Sequence, residues 1–441
     1  MNEPILLVVD YNLSRVDEVR HLSDHARDRH GAAVVLIRAD PTEVDHAIAD
    51  EVIDLDPLRD DFAEMGEKLL ADRRDRIRAG LVFSDNAVRS GAELLERLGV
   101  PVDSPQLAVG AFSKHSYRLD EARVADLLAG QRIMTPAFAE ITSLSELSGF
   151  AHDHPGGFVA KPVAEGNNRG VVVVRPGDDL ASVFTELKPY LGGGVICEEL
   201  IPYRREFSFD GLGPLTFITE KVSACGRYPV EIAQVLPARL HEHERATLER
   251  AGRQANLLVG QCDGPFHNEI KLSDDGLSAA IVEPNRRPGG MKIWSLARSV
   301  YGIDLHHRWV DAAFGAATDA GPLVPACSSA TVMLGVGTDR WFSPNDIPPG
   351  ADPFADAVEA TAERLGLADG QLVATEFSWL SPERRRLRAV ARDNADFVAQ
   401  CCIVLFGDRV DIRTVVPALR EAWADALDRV LAVPVPVRRA R

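Results

Sequence analysis

The fold is decided by residues 283–290, which read EPNRRPGG, together with residues 266–269, which read FHNE. Side chains at alternate positions of a strand point to the same face. A strand through the first stretch would therefore present Glu283, Asn285 and Arg287 on one face. Carboxylate and amide oxygens suit Mg²⁺, and an always-charged guanidinium can bind phosphoryl oxygens. The pattern predicts a metal and phosphate site, and a salt-bridged strand end is the alternative interpretation.

Length and charge limit the kind of protein that this chain can be. Its 441 residues exceed what one compact core usually holds, so we expect two or three domains. Hydrophobic residues make up 46% and charged residues 26%, as in ordinary globular proteins. The formal net charge of -17 argues against nucleic acid or an anionic membrane as the main partner. We therefore expect small-molecule partners, with no nucleic acid and no membrane.

The N-terminus and the cysteines bear on location. An apolar run follows Met1 almost at once, without a basic segment or a cleavage site, so we expect no leader. No apolar stretch approaches the ~20 residues of a membrane span. The cysteines are scattered and form no C-x-x-C pair, which is typical of reduced thiols and not of disulfides or a zinc site. These features favour a cytoplasmic location.

Residues 1–105 alternate between apolar runs and polar, helix-like segments. Runs typical of buried strands occupy residues 5–9, 33–37, 51–55 and 81–83. A helix is expected over residues 87–98, because Gly99 is a suitable C-terminal stop. Strands interleaved with helices predict a parallel α/β sheet. No G-x-G-x-x-G follows the first run, so we do not expect a dinucleotide site.

The rest of the chain mixes helices with strands of antiparallel character. Prolines at positions 101 and 105 predict a boundary, after which we expect one domain over residues 106–325 and another over 326–441. The last domain is expected to contain a strand over residues 397–406 and an amphipathic helix over 412–430. The sequence therefore predicts a mixed α/β and α+β architecture.

A lysine followed by a glycine-bearing loop is a second candidate site. Residues 158–162 (FVAKP) place Lys161 on a strand, and residues 164–170 (AEGNNRG) follow as a polar loop. Backbone N–H groups of such a loop can close over phosphates, and the lysine can bind the same phosphates as a point charge. A solvated hairpin with a surface lysine is the alternative interpretation.

An acidic turn and a lysine at a helix start complete the set of motifs. Residues 195–202 (VICEELIP) run from an apolar strand into paired acids and a turn, whose main-chain groups can bind an adenine edge. Glu206, on the next strand, can accept hydrogen bonds from ribose hydroxyls. Lys114 begins a helix, where the helix N-terminus also favours anions. Acids that face solvent and an exposed lysine are the alternative interpretations.

The order of these motifs resembles the ATP-grasp superfamily from residue 1 to about residue 310. Residues 84–87 (SDNA) and 98–101 (LGVP) are similar to its N-terminal, Rossmann-like pre-ATP-grasp domain. Residues 227–238 (RYPVEIAQVLPA) and 264–269 (GPFHNE) are most similar to carboxylate–amine ligases of the L-amino-acid ligase kind.

The resemblance implies an ATP-grasp fold in which a mobile lid covers about residues 136–200 and a C-terminal cap covers residues 326–441. It also implies a role for each motif residue. Those expected to bind ATP are Lys114, Lys161, Gly166, Asn167, Asn168, Gly170, Glu198, Glu199, Leu200, Ile201 and Glu206. Those expected to hold Mg²⁺, as two ions for which Mn²⁺ can substitute, are Glu269, Glu283 and Asn285. Those expected to be catalytic are Arg287, Lys161 and His267.

Some of these roles have alternatives. Arg287 would stabilise the phosphoryl group during transfer, or would instead bind the substrate carboxylate. His267 would orient a substrate or act as a base, or would be a structural histidine beside the metal strand. Met291, Trp294 and residues 227–231 are the candidate walls of the substrate pocket.

The reaction implied by the resemblance is the ATP-dependent formation of an amide bond. An amino acid carboxylate would become an acyl phosphate, and an amine or a second amino acid would then displace the phosphate. The alternatives are an ATP-grasp enzyme of the carboxylase or purine-pathway type, which activates bicarbonate or formate, and a nucleotide-binding regulatory module without catalysis. Homodimers are common in such ligases, so a homodimer is an expected assembly.

Overall fold

The N-terminal part of the chain forms the parallel sheet that its sequence predicts. A computed structural model describes residues 3–166, 168–224, 226–318 and 321–432. The first elements are β1 (Ile5–Val9), α1 (Val16–His30), β2 (Ala33–Arg38), α2 (Glu43–His46), β3 (Glu51–Asp54), α3 (Phe62–Leu69), β4 (Ile77–Val82) and α4 (Val88–Leu98). The strand order is β3-β2-β1-β4, and the pairings are parallel. β1 is buried along its whole length, as a continuous apolar run in a parallel sheet requires.

A second, smaller sheet is built from residues within the expected lid. The next elements are α5 (Lys114–Arg123), α6 (Ala125–Gly130), β5 (Ile133–Met134), β6 (Phe138–Glu140), α7 (Leu144–Asp153), β7 (Phe158–Pro162), β8 (Val172–Val174), α8 (Leu180–Leu187) and β9 (Val195–Glu199). The strand order is β6-β9-β7-β8, with antiparallel pairings. The register sets Lys161 of β7 and Glu198 of β9 diagonally on one face, within reach of one another.

The largest sheet joins the middle of the chain to its C-terminal part. The middle elements are β10 (Arg205–Leu212), β11 (Leu215–Ser223), β12 (Glu231–Leu236), α9 (Glu242–Leu258), β13 (Pro265–Leu272), β14 (Ala279–Glu283), α10 (Ile293–Tyr301) and α11 (Leu305–Ala313). The last elements are β15 (Ser328–Leu334), β16 (Arg340–Phe342), α12 (Pro353–Leu365), β17 (Leu372–Trp379), β18 (Arg385–Leu387), β19 (Ala399–Leu405) and α13 (Ile412–Ala432). The strand order is β17-β19-β15-β12-β11-β10-β13-β14-β5, and β16 pairs with β18 separately. The C-terminal strands therefore extend the sheet that carries the FHNE stretch.

Strand β14, which carries Glu283, is shorter than the sequence pattern predicts. β14 ends at Glu283, so the expectation that one strand face carries Glu283, Asn285 and Arg287 is wrong beyond the first of them. The physical reason is Pro284, which has no N–H to donate to the neighbouring strand. One main-chain hydrogen bond continues past it, from His267 N–H to the Asn285 carbonyl at 2.9 Å. Asn285 therefore stays beside β13, while Arg287 lies past the last residue that bonds to β13.

Helix α11 packs back onto the N-terminal sheet. Trp309 and Val310 of α11 share a core with Leu6 and Val8 of β1 and with Leu22 of α1. Residues about three hundred positions apart in the sequence thus exclude water from the same face of the sheet. This packing fixes the N-terminal sheet against the central part of the chain.

The C-terminal helix α13 has one buried face. Val415, Leu419 and Trp423 recur four residues apart and pack in the core that also contains β15 and β19. The predicted helix at 412–430 is therefore close to the observed one. Across the part of the chain that the structure describes, we find no helix with both the length and the apolarity needed to cross a bilayer.

Candidate active site

Two carboxylates face each other across β13 and β14. Glu269 pairs in register with Glu283, and like charges directly opposite one another are destabilising unless cations compensate them. Lys221 Nζ lies 2.7 Å from Glu269 Oε1, and Lys114 Nζ lies 3.0 Å from Glu283 Oε1. The carboxylate side chains are 27% and 30% exposed, respectively. Each carboxylate therefore has its own lysine and still reaches solvent.

Lys221 of β11 is the residue that holds Glu269. Its Nζ also lies 3.5 Å from Glu231 Oε1 of β12, and its side chain is 8% exposed. Burial opposes the charge of Lys221, but Glu231, Glu269 and Glu206 outweigh it and raise the pKa of the lysine. Burial likewise opposes the charge of Glu269, yet Lys221 and His267 hold the pKa of this carboxyl well below its usual value. The lysine and the carboxylate are thus both charged at neutral pH.

His267 of β13 is held between two carboxylates. Its Nδ1 lies 2.7 Å from Asp210 Oδ1, and its Nε2 lies 3.5 Å from Glu269 Oε1. Asp210 is itself fixed by hydrogen bonds from the hydroxyls of Ser208 and Thr219. Burial disfavours the imidazolium, but Asp210 and Glu269 outweigh it and raise the pKa of His267 to about 9. A histidine already protonated at neutral pH donates from both nitrogens and cannot accept a further proton.

Asn285 and Arg287 lie just beyond the end of β14. The Asn285 amide nitrogen donates to the main-chain carbonyl of His267 at 3.0 Å, which leaves Oδ1 as the atom able to bind a cation. Arg287 Nε donates to Asp85 Oδ1, in the segment that follows β4, and Nη1 donates to the Pro288 carbonyl at 3.0 Å. Asp85 opposes the effect of burial and raises the pKa of Arg287. Arg287 therefore connects the segment after β14 to the segment after β4 of the N-terminal sheet.

Lys161 belongs to a buried ionic cluster. Its Nζ lies 2.8 Å from Glu198 Oε1. Arg118 of α5 donates to the same carboxylate at 2.9 and 3.0 Å, and to Glu121 at 2.6 Å. Burial disfavours the Glu198 carboxylate, but Arg118 and Lys161 lower its pKa to about 2. We call these four residues the Arg118 cluster. The Glu198 carboxylate is already bound by Lys161 and Arg118. A contact between Glu198 and adenine would therefore come from its main-chain groups.

The glycine-bearing loop lies beside Lys114. The main-chain carbonyl of Glu165 accepts a hydrogen bond from Lys114 Nζ at 2.8 Å. Gly170 has a φ of +72°, and a Cβ at that position would lie 2.7 Å from the ring of Tyr190, so the backbone there requires glycine. The other loop positions predicted to bind phosphate are Gly166 and Asn168, and Asn167, which lies outside the described residues.

The acidic turn follows the small sheet directly. Glu199 N–H donates to the Ala137 carbonyl at 2.8 Å, and Leu200 N–H donates to the Gly157 carbonyl at 3.3 Å. Ile201 is buried. These bonds fix the path of the chain between the small sheet and β10, in which Glu206 lies.

Glu206 has partners on both neighbouring strands. Its Oε1 lies 3.0 Å from Lys271 Nζ of β13, and its Oε2 accepts a hydrogen bond from the hydroxyl of Ser223 of β11. A ribose hydroxyl would therefore join or displace these partners. The Glu206 side chain is 21% exposed, which leaves it accessible to such a ligand.

Residues from separate motifs line one recess. Lys114, Glu198 and Glu283 border it, together with Tyr117 and Val282. In the sequence these positions belong to the helix start, the acidic turn and the metal strand. The fold therefore brings together the groups that the motif order associates with one nucleotide.

Comparisons with known proteins agree with this arrangement. No protein-family profile matches the sequence. A D-alanine–D-alanine ligase from Parvibaculum lavamentivorans is 25% identical over 238 residues, which cover 50% of this chain and 74% of that protein. The structure of an L-amino acid ligase from Bacillus licheniformis superposes with a TM-score of 0.71 at 17% identity, covering 98% of both chains.

A second type of structure superposes almost as well. An N5-carboxyaminoimidazole synthase from Aspergillus clavatus, in complex with ADP and 5-aminoimidazole ribonucleotide, gives a TM-score of 0.65 at 14% identity, over 97% of this chain and 100% of the other. Both superposed structures are ATP-grasp proteins. The chain has the ATP-grasp fold. The fold predicted from the order of the motifs is thereby confirmed.

The donor set at the end of β14 fits a hard divalent cation. Similar solved structures include complexes with ATP or ADP, and Mg²⁺ is the usual ion at nucleotide phosphates. Glu269, Glu283 and Asn285 offer oxygen atoms alone, as Mg²⁺ prefers, and the first two are in register and within reach of solvent. In this structure Lys114 and Lys221 compensate the negative charge of Glu283 and Glu269, which a bound cation would otherwise neutralise.

Several groups at this site were not singled out for a role from the sequence. Lys221 had one available signal, because a lysine within the largely apolar stretch 215–223 (LTFITEKVS) must find acidic partners if the strand is buried. Which carboxylates it meets depends on the order of β10, β11, β12 and β13, and local sequence does not encode that order. The other groups are Asp85, Arg118 and Asp210.

The residues predicted to form the walls of the substrate pocket lie in different parts of the structure. Met291 and Tyr228 pack in one small cluster with Val230, so two of the predicted segments meet. Arg227 contacts the small sheet, since its carbonyl accepts a hydrogen bond from Val173 N–H at 2.9 Å. Trp294 is buried in the main core with residues of the N-terminal sheet, so it is a core residue in this structure.

Proposed function

We propose that this protein is an ATP-dependent carboxylate–amine ligase that joins an amino acid to an amine or to a second amino acid. The observation that carries the proposal is the registered Glu269–Glu283 pair, with a lysine on each carboxylate, within an ATP-grasp fold. Phosphoryl transfer requires a metal ion and fixed cations around the triphosphate. The likeness to the L-amino acid ligase from B. licheniformis supports an amino acid as substrate.

The proposed reaction has two steps. In the first, a carboxylate oxygen attacks the γ-phosphorus of ATP, the bond from this phosphorus to the β–γ bridging oxygen breaks, and ADP leaves. In the second, a neutral amine attacks the carbonyl carbon of the acyl phosphate, phosphate leaves, and the amine loses a proton. The first step is needed because a free carboxylate would have to expel oxide. The products are an amide, ADP and phosphate.

Cationic side chains orient the triphosphate in this proposal. Lys114 and Lys161 bind phosphate oxygens, and Arg287 stabilises the phosphoryl group as charge spreads over its oxygens. Mg²⁺, held by Glu269, Glu283 and Asn285, supplies neutralisation of the triphosphate when it is bound. Arg287 is preferred for the phosphoryl group over the substrate carboxylate, since it extends from the end of the metal strand.

The remaining nucleotide contacts follow the motif order. The main chain of residues 198–201 binds adenine, Glu206 binds the ribose, and residues 166–170 close over the phosphates. His267 orients Glu269, and its raised pKa disfavours a role as general base. The amine therefore loses its proton to another acceptor, such as a released phosphate oxygen.

We also propose that residues 136–200 act as a lid. An acyl phosphate hydrolyses in water, so a closing element that excludes water protects it. The chain would then divide into residues 1–105, 106–325 and 326–441, with the last as a cap over the acceptor side. The contact between Arg227 and β8 supports placing the acceptor near residues 227–231.

Bicarbonate or formate activation is the second candidate function. The carboxyaminoimidazole synthase from A. clavatus covers 97% of this chain, and this likeness favours the candidate. Both reactions begin with phosphorylation of a carboxylate-type oxygen. They differ in the acceptor and in whether bicarbonate or formate is consumed, so a product assay separates them.

The deciding experiment measures phosphate release from Mg²⁺-ATP across pairs of amino acids, and separately with bicarbonate or formate plus amine acceptors. The expected result is release that depends on two amino acids or on an amino acid and an amine. Mass spectrometry should then find a product equal to the two substrates less one water. Release that depends on bicarbonate or formate would instead establish the second candidate. If no combination stimulates release and no condensation product appears, the ligase proposal is wrong.

A further inference from the structure

Helices α1 and α11 bring histidines together on one side of the N-terminal sheet, apart from the residues assigned to the ATP site. His21 and His25 lie one turn apart on α1, and His307 and Asp311 lie one turn apart on α11. Residues four positions apart share a helix face. The two helices pack against each other, so these faces meet.

Asp311 is the point at which two of the histidines converge. Its Oδ1 lies 2.9 Å from His25 Nε2 and 2.8 Å from His30 Nε2. The three ligand atoms lie within 4.8 Å of one another. The side chains are 15%, 20% and 26% exposed for His25, His30 and Asp311, respectively. The group is thus shielded by the helices but accessible to an ion.

The separations match a tetrahedral transition-metal site after a small expansion. Zn²⁺ binds imidazole nitrogen and carboxylate oxygen at about 2.0–2.2 Å, so neighbouring ligand atoms in a tetrahedron lie about 3.3–3.5 Å apart. The observed contacts of 2.8 and 2.9 Å would open by roughly half an ångström to admit the ion. Nitrogen ligands favour Zn²⁺ and related ions over Mg²⁺ or Ca²⁺.

Ring stacking holds His25 in place beside α11. The His25 and His307 rings stack at 3.9 Å between centroids, and His21 stacks on the other side of His307 at 4.3 Å. This stacking connects the two helices next to the proposed ligands. A metal would bind the imidazoles in their neutral form.

We propose that His25, His30 and Asp311 bind a Zn²⁺-type ion that links α1 to α11. Water would complete the tetrahedron, since the chain offers three ligands. The ion would connect segments that lie far apart in the sequence, and its binding would stabilise the packing of α11 on the N-terminal sheet.

A second group, His21, Asp304 and His307, is less suited to a metal. Asp304 caps α11, because its Oδ1 accepts hydrogen bonds from the main-chain N–H groups of His306 and His307. Its Oδ2 is bound to His21 Nε2 at 2.6 Å. Both oxygens of Asp304 are thus engaged, and a metal at this group would share the carboxylate with the helix cap. The group therefore supplies a matched control.

The test titrates the metal-free full-length chain with Zn²⁺ in an excess of Mg²⁺, which occupies the carboxylate site. Bound metal is counted by equilibrium dialysis, and Co²⁺ is used as a spectroscopic substitute. The expected result is one equivalent of Zn²⁺ per chain and the visible absorption of tetrahedral Co²⁺. His30→Ala should weaken binding by at least about tenfold. Asp311→Asn keeps the shape of the side chain and should weaken binding similarly, which guards against a misfolded His30→Ala variant.

Two controls make the assignment falsifiable. His21→Ala, in the neighbouring group, and His152→Ala, an exposed histidine of α7, should leave the affinity within about threefold of the wild type. Zn²⁺ should also raise the melting temperature of the wild type but not of Asp311→Asn. The proposal is overturned if the wild type binds no Zn²⁺ in excess Mg²⁺, if His30→Ala and Asp311→Asn bind like the wild type, or if His21→Ala loses as much affinity as they do.

Discussion

The Arg118 cluster and the residues around Lys221 both bury a lysine among carboxylates, but their carboxylates differ in how far they reach solvent. The Arg118 cluster pairs the cations Arg118 and Lys161 with the carboxylates Glu121 and Glu198, and its side chains are at most 7% exposed. The second group, the Lys221 cluster, places the Lys221 ammonium and a protonated histidine among carboxylates that are 14–27% exposed, and Lys271 lies at its edge, 3.0 Å from Glu206. Its members are Glu206, Lys221, Glu231, His267 and Glu269.

The difference indicates which carboxylates are available to a cation. A buried charge without a partner costs several kcal/mol, so the inaccessible pairing of Arg118 with Glu121 and Glu198 is consistent with a structural role, to which Lys161 adds its proposed contact with phosphate. Carboxylates at a partly open edge can instead exchange a lysine partner for a bound cation. In both clusters burial raises the pKa of one carboxyl, that of Glu121 in the first and that of Glu231 in the second, so solvent exposure is what separates them.

The largest expected effect is a loss of stability when the Arg118 cluster is disrupted. Arg118→Met would leave the Glu121 and Glu198 carboxylates buried without their main cation, so the free energy of unfolding should fall by about 3–5 kcal/mol. Urea denaturation measures this change. Arg123→Met is the control, because Arg123 lies on the same helix with its side chain 73% exposed, and it should change stability by less than about 0.5 kcal/mol. A loss below about 1 kcal/mol for Arg118→Met would show that the cluster is not structural.

The second effect should appear in activity and not in stability. Glu283→Gln keeps the shape of the side chain but removes a charge from the proposed metal site. ATP-dependent phosphate release should fall by about 10²–10³-fold, while the unfolding free energy stays within about 1 kcal/mol of the wild type. Glu242→Gln, at the exposed start of α9, provides the control. Activity within about threefold of the wild type would contradict the assignment of Glu283 to the metal.

The third effect is a pH dependence that His267 should confer. Its folded-state pKa of about 9 lies above the ordinary value of 6.5, so its stabilising contribution is complete below pH 6.5 and is lost as the pH rises through 9. Between these pH values the wild type should lose roughly 3 kcal/mol more unfolding free energy than His267→Asn does. Denaturation series at several pH values measure the difference. Parallel curves for the two proteins would mean that His267 is neutral when folded.

The smallest effect should occur at the edge of the Lys221 cluster. Glu206→Gln retains a hydrogen-bond acceptor for the ribose, so the KM for ATP should rise by only about 3–10-fold, with little change in kcat. Steady-state kinetics in saturating co-substrate separate the two constants. A fall in kcat comparable with that of Glu283→Gln would move Glu206 from nucleotide binding into the metal site.

Much of the fold could be predicted from the sequence because its signals are local. The run at residues 5–9 is apolar throughout, as a strand covered on both faces must be, and Gly99 marks the end of α4 with its φ of +76°. Side-chain alternation does not predict the end of β14, because the pairing stops where Pro284 lacks an N–H to donate. The burial of Trp294 could not be predicted from a short motif, because it depends on how α10 packs against the core.

The candidate site was predictable only in part, because its partners come from distant segments. Glu269 and Glu283 belong to recognisable motifs, but their direct opposition depends on the turn between β13 and β14. Arg118, Lys221 and Asp85 gain their roles from strand order and from the packing of α5 and β4. Such contacts are set by tertiary structure, which no window of neighbouring residues contains.

The course of the largest sheet has a consequence for how the chain is made. β12 pairs on one side with β11 and on the other with β15, which begins at Ser328. At a synthesis rate of about 5–20 residues per second, the segment from Leu236 to Ser328 takes several seconds to leave the ribosome. During that interval β12 is an unpaired edge, the kind of surface on which nascent chains aggregate. Chaperone dependence during translation should therefore be greatest in this window, and should decline once β15 and β19 have emerged.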